Sequence, residues 1–189
     1  SHLMNEPQKF ALIKLDKVRG NACVSRREII SSFKKEDKAK IIEKYKLGDY
    51  TIGEKIIHSG SVTLDETEHI LATRLWQNTS RVHFDINQRQ DGRRLIYGGH
   101  IISMARAFSF DGLANAHMIQ AINSGTHVNP SFSGDTLSFW SEVLDTYQTP
   151  IPNYGLIRLR LIGCKGRVEN FEIKDNIVLE LDYWAAIPS

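Results

Sequence analysis

The residues whose types and spacing could carry chemistry fall between 76 and 110, in the stretch WQNTSRVHFDINQRQDGRRLIYGGHIISMARAFSF. Asn78, Ser80, Arg81, His83 and Asp85 form a compact polar cluster, and Arg93 and Arg94 sit in the basic loop behind it. Gly98-Gly99-His100 then opens an apolar segment. Histidine titrates nearest neutral pH of the ordinary side chains, so it is the natural proton carrier of such a cluster. Glycines at a helix start leave bare backbone amides where negative charge is favoured. Ionisable groups, a connection and free amides in that order suit an enzyme that moves a proton while stabilising charge on a carbonyl oxygen.

Two helices must present these groups. Thr63-Leu64-Asp65-Glu66 reads as a capping box, followed by Leu64, Thr67, Ile70, Leu71 and Leu75 along one side of a helix. Asp65 and Glu66 would occupy its first turn, where negative charge is favoured. This helix ends near Gln77 and delivers residues 78–85 just past it. The second helix starts at Gly98-Gly99, with Ile101, Met104, Ala105 and Phe108 as a core-facing stripe, and Asp111-Gly112 closes it. EKIIHSGSVTL, ahead of the first helix, reads as a strand. Beyond Ile119 four more strands are expected at 119–128, 136–147, 155–166 and 177–187, separated by segments rich in Pro, Gly, Asn and Asp. Leu156, Arg158, Arg160 and Ile162 alternate with Ile157, Leu159 and Leu161. Strands joined by short loops make antiparallel hairpins, and one apolar helix can cover one face of the sheet, giving an α+β fold. Phe139, Trp140, Tyr183 and Trp184 crowd these strands, so the far face calls for a dimer partner or a second copy of the fold.

The composition sets bounds. A chain of 189 residues with 41% apolar content supports an ordinary core. Ser1 to Met4 reads as an expression-tag remnant. Residues 5–47 read as an N-terminal extension, with LIKLDKV as a short strand and Ser25-Arg26-Arg27-Glu28 as a capping box. The charged helix behind that box carries eight Lys or Arg against four acids over residues 25–46. That helix is expected to show a solvated face, with a basic arm near nucleotide phosphates as the alternative. A net charge of +2 and the lack of any nucleic-acid motif argue against a nucleic-acid partner. No run of about 18 apolar residues exists to span a membrane. No apolar leader opens the sequence, so no secretory signal is expected. Cys23 and Cys164 are far apart, without CxxC or metal spacing, and read as reduced thiols of a cytoplasmic protein.

The order β-helix-β-β-β-β with a central helix resembles the hotdog fold. The polar cluster resembles the MaoC-like enoyl-CoA hydratase signature, Asp-x-Asn-Pro-x-His followed by a Gly at the start of the central helix. A further element is the turn Pro-x-x-x-Gly-Asp-Thr-Leu, which stands here as Pro130 to Leu137, PSFSGDTL. ATRLWQNTSRVHFD, GRRLIYGGHIISMARAFSFDGLANA and LDYW look closer still to the 2-methylfumaryl-CoA (mesaconyl-CoA) hydratases, specifically the C-terminal half of their two-hotdog chains. The resemblance covers roughly residues 48–188, and a hotdog domain is accordingly expected over 48–189.

The resemblance implies a hydratase, or a dehydratase in reverse, acting on a short branched enoyl-CoA. It implies His83 as the catalytic histidine and Gly99 as the oxyanion glycine, with Gly98 beside it. Losing one such donor typically costs about 3–4 kcal/mol of transition-state stabilisation. No metal and no redox cofactor is implied, with coenzyme A entering only as part of the substrate. The family's catalytic Asp is replaced by Asn78, which can orient water or substrate but cannot accept a proton as a base. If the segment is extended, Asp85 shares a side with His83 and would orient it or replace the missing carboxylate. Arg81, Arg93 and Arg94 could meet coenzyme A phosphates or a substrate carboxylate.

Each feature also has a plainer reading. His-x-Asp can be a capping pair, Gly98-Gly99 can be packing relief, and the arginines can be solvated loop charges. Ser103 can be a helix-surface hydroxyl. His100 reads as a helix-start residue facing solvent and His127 as a strand residue, and neither receives a role. Two further functions stand open. A hotdog thioesterase would commonly use an acid on or near the central helix, and Ile101 to Phe110 contains none. A non-catalytic acyl-CoA-binding hotdog, or half of an enzyme parted from its partner, would bind without turnover.

Overall fold

The computed structural model describes residues 11–16, 21–25, 45–116, 118–168, 171 and 176–189. The chain divides into two compact units, Ser1–Lys44 and Tyr45–Ser189. In the first, β1 (Ala11–Asp16) and β2 (Asn21–Ser25) pair antiparallel from Ala11 opposite Ser25 to Asp16 opposite Asn21. The expected strand at LIKLDKV thus overlaps β1, whereas the expected charged helix falls mainly on 26–44, outside the described residues. The second unit begins at Tyr45 rather than Gly48. Leu47 is buried in its core and packs closely on Gly155, which ties the residues before Gly48 to the sheet.

Five strands build this second unit: β3 (Lys55–Thr63), β4 (Met118–Thr126), β5 (Thr136–Gln148), β6 (Tyr154–Lys165) and β7 (Ile177–Pro188). They form one sheet in the order β3-β5-β6-β7-β4, with every pairing antiparallel. All four strands expected beyond Ile119 are present, with ends shifted by one or two residues. Period-two alternation decides the faces. Ile157, Leu159 and Leu161 of β6 are fully buried in the main core. Between them Arg158 reaches Asp182, and Arg160 reaches Glu142 and Glu180, across neighbouring strands on the opposite face.

Helix α2 (Gly98–Phe108) lies over the core face. Its expected stripe is in place: Ile101 and Ala105 are buried, and Met104 and Phe108 pack beside them, with Phe108 5.3 Å from the ring of Phe139. The helix closes where expected, since the backbone leaves helical angles at Asp111 and Gly112. The aromatic residues expected to need outside cover divide by face. Phe139 and Tyr183 enter the main core, while Trp140 joins Ile162, Cys164 and Ile177 on the far side under Val168 and Phe171. Edge strand β4 keeps Met118, Ile119 and Ile122 exposed.

Helix α1 (Glu66–Leu75) departs from expectation in two ways. Its cap is Asp65, whose carboxylate accepts the Thr67 and Glu68 amides, so the box based on Thr63 does not form. Its leucine stripe also points outward: Leu71 is 63% and Leu75 76% exposed, while His69 and Thr73 are buried. Each inward side chain makes one hydrogen bond, although His69 Nδ1 is buried without one. The Thr73 hydroxyl donates to the His69 carbonyl, and His69 Nε2 accepts the Tyr97 amide at 3.0 Å, docking α1 on the start of α2.

Candidate functional site

The segment that carries His83 is not extended. After α1, Gln77 takes a positive φ of 52°, and Asn78 N donates to Thr73 O, turning the chain sharply. Arg81–His83 then forms one short 3₁₀ turn and Ile86–Gln88 another. A single carbonyl fixes the imidazole: His83 Nδ1 donates to Leu95 O at 2.8 Å. Leu95 N donates in turn to Val82 O, and Ile96 N to Ser131 O within the Pro130–Leu137 turn. That turn is itself anchored, because Phe132 N donates to the Asp135 carboxylate and Gly134 N to Leu64 O. With Nδ1 engaged as a donor, the neutral ring keeps its lone pair on Nε2.

His83 lines a cavity of about 470 Å³ together with Leu95, Tyr97, Gly98, Gly99 and His127. Gly98 and Gly99 are the first two residues of α2, and the first intrahelical donors are His100 N and Ile101 N, both to Tyr97 O. The two glycine amides therefore stand ahead of the helix hydrogen-bond ladder, at its positive end. The glycines are demanded by contact as well. A Cβ on Gly98 would lie 2.2 Å from His127 Nε2, and one on Gly99 2.6 Å from Tyr97 Cζ. The Tyr97 ring also packs 5.6 Å from the ring of His83.

Other expected residues sit elsewhere. Asp85 does not orient His83, which corrects the expectation drawn from an extended segment. Its carboxylate caps the following turn, accepting the Asn87 amide at 3.0 Å and the Gln88 side chain at 2.8 Å. These bonds, with that from the Asn87 amide foremost, hold it below the usual carboxylate range. Asn78 Oδ1 accepts the Ser80 amide at 2.9 Å. Arg93 and Arg94 lie beside a separate, smaller cleft. Arg94 bridges Glu66 on α1 and donates to Phe84 O, while Arg93 stacks 4.0 Å from the Phe132 ring centroid. Arg81 is exposed near Asp85, whose carboxyl its charge helps to depress. Ser103 donates to Gly99 O and is a helix-surface hydroxyl.

Sequence reasoning missed three contributors: Tyr97, His69 and His127. His69 is fully buried, 6.3 Å edge-on from His83 and 6.4 Å from His100. Burial pushes its pKa down to about 4, so it stays neutral and keeps accepting the Tyr97 amide. His100 does not simply face solvent, since its Nε2 is buried. Burial lowers the pKa of His127 as well, opposed by a hydrogen bond to the Val178 backbone. The available signal for His69 was the helical spacing of His69 and Thr73 opposite the leucines. For His127 it was its place just before the Pro130 turn. Among the described residues, no group of three or more His, Cys, Asp or Glu could hold a metal ion, and no helix is long and apolar enough to cross a membrane.

No protein-family model matches the chain. Over 153 residues it is 55% identical to a mesaconyl-CoA hydratase of Cereibacter sphaeroides, a match covering 77% of this chain and 45% of the relative. It is 47% identical over 156 residues to a β-methylmalyl-CoA dehydratase of Chloroflexus aurantiacus, covering 76% and 44%. A crystal structure described as a MaoC domain protein dehydratase from Chloroflexus aurantiacus superposes with a TM-score of 0.72 at 47% identity, covering 76% of this chain and 44% of that one. The chain thus spans less than half the length of each, and over that span its fold is the hotdog fold of the solved MaoC domain protein.

Proposed function

We propose that this domain is a hydratase site that adds water reversibly across the double bond of a short branched enoyl-CoA of the mesaconyl-CoA type. The observation that carries the reading is the placement of the His83 imidazole and the Gly98 and Gly99 amides on one cavity. The identity to the two hydratase and dehydratase relatives supports the substrate class. The thioester oxygen would lie against the Gly99 amide, with Gly98 beside it, where the helix dipole favours the enolate-like charge. His83 Nε2 would take a proton from water as its oxygen bonds to the β-carbon, while Leu95 holds the ring. Asn78, through the ordered turn it makes, would hold the entry to this segment rather than accept a proton. No separate cofactor enters the scheme, and coenzyme A arrives with the substrate.

The site is proposed to work against a second hotdog, either another copy or another domain. The exposed Met118, Ile119 and Ile122 of edge strand β4 supply an apolar surface for it. A buried free thiol at Cys164 fits a cytoplasmic setting. A thioesterase is disfavoured because no carboxylate lines the cavity among the described residues.

The test is the enoyl-thioester absorbance band, followed with mesaconyl-CoA and, separately, crotonyl-CoA, beside a His83→Ala control. Loss of the band in the parent but not in the variant is expected, faster with mesaconyl-CoA. Release of free thiol would indicate a thioesterase, and binding without turnover a non-catalytic acyl-CoA-binding half.

A further inference from the structure

The imidazole of His83, held at Nδ1 by Leu95 O, offers one nitrogen for proton transfer. Hydration needs a base for water and an acid for the α-carbon, and Asn78 can serve as neither. Asp85 cannot fill the gap, because its carboxylate is turned onto Asn87 and Gln88. Besides His83, the titratable side chains lining the cavity among the described residues are Tyr97 and His127. Tyr97 is packed against His83 and Gly99. His127 Nε2 comes so close to Gly98 that a Cβ there would lie 2.2 Å away, and the ring is tethered to the Val178 backbone. The α-carbon of an enoyl thioester is one bond from the carbonyl carbon. His127 Nε2, on the Cβ side of Gly98, thus stands within the reach of an α-carbon whose thioester oxygen sits on the amides at the start of α2.

We propose that His127 is the second catalytic residue of this site, the acid that protonates the α-carbon in hydration and the base that removes that proton in dehydration. The inference rests on the hydratase reading above. Water gives one proton to neutral His83 Nε2 while its oxygen bonds to the β-carbon. The π pair moves onto the α-carbon through the enolate, and the imidazolium of His127 gives its Nε2 proton to that carbon. His83 ends protonated and His127 neutral, and exchange with solvent restores both. Burial, the larger effect, disfavours the charged ring and so makes it the stronger acid, while the hydrogen bond to the Val178 backbone opposes it.

The experiment compares the parent with His127→Gln and His127→Ala on mesaconyl-CoA, with and without added imidazole. Gln keeps polar volume but carries no proton, and melting curves of both variants beside the parent separate lost chemistry from lost folding. The expected result is a fall in kcat of at least roughly a hundredfold for both, KM within a few-fold, and recovery by imidazole in His127→Ala but not in His127→Gln. A His127→Gln rate within about threefold of the parent overturns the proposal and leaves the hydratase reading standing. So does a His127→Ala rate that imidazole does not raise. A parent that never consumes the enoyl-CoA overturns both.

Discussion

Leu95 holds His83 through both its backbone groups: its carbonyl accepts Nδ1 at 2.8 Å, and its amide donates to the carbonyl of Val82, the residue before His83. A backbone carbonyl cannot take up the imidazole proton, so it fixes the tautomer without competing for the chemistry. The group that orients this imidazole is main chain, and Nε2 is the ring nitrogen that Leu95 leaves free.

His83→Asn should therefore separate anchoring from chemistry. The shorter amide can still donate toward Leu95 O but has nothing at the Nε2 position. Loss of turnover by about a hundred- to ten-thousandfold is expected, with the melting temperature nearly unchanged. Steady-state kinetics beside thermal denaturation checks this. A variant that keeps a tenth of the parental kcat would remove His83 from the mechanism.

Gly99→Ala should be nearly as damaging through a different route. The new Cβ would meet the Tyr97 ring 2.6 Å away, so either the ring or the start of α2 must shift. Displacing an oxyanion donor costs about a hundred- to a thousandfold in kcat. Because Tyr97 also packs on His83, the ring dislodged by this change is one that flanks that imidazole. Equal kcat in the variant and the parent would count against the Gly99 amide as an oxyanion donor.

Much of this arrangement was legible in the sequence. The four C-terminal strands and the Ile101–Phe108 stripe follow from periodicity, which depends on local spacing, and the shared placement of His83 and Gly99 from the resemblance to the MaoC-like hydratases. What sequence could not supply was direction. The leucines of α1 have helical spacing whichever way the helix is rotated, and it was the Tyr97 amide seeking His69 Nε2 that turned them outward. Likewise the relation of Asp85 to His83 depended on the segment being extended, and two successive 3₁₀ turns remove that condition. His127 is brought to Gly98 by pairings between distant strands, a tertiary relation that no local spacing records.

Asp85→Asn is expected to leave the rate and its pH profile unchanged, because the carboxylate serves only the turn after it. Its pKa is depressed by hydrogen bonds from Asn87 and Gln88, so its contribution to stability is present above the ordinary carboxylate pKa and is lost as pH falls through the lowered one. The substitution should lower the melting temperature slightly at neutral pH. A changed pH–rate profile would restore Asp85 to the site.

His69 should leave a signature in the acid dependence of stability. Burial lowers its pKa from 6.5 to about 4 in the folded chain. Between those values the unfolded chain binds the proton and the folded one does not, so stability falls as pH drops through that window and levels off below it. Above the window the residue is neutral in both states and adds no pH dependence. His69→Gln offers the Tyr97 amide a carbonyl oxygen while removing the titration, so the loss of stability from pH 7 to 4.5 should be smaller than in the parent. His69→Leu removes the titration and the acceptor together. It should lose activity that His69→Gln keeps, because the Tyr97 amide at the start of α2 is then unpaired. Urea midpoints at the two pH values, with kcat at pH 7, check both claims. Identical acid losses in parent and Gln variant would show that His69 is not the titrating group.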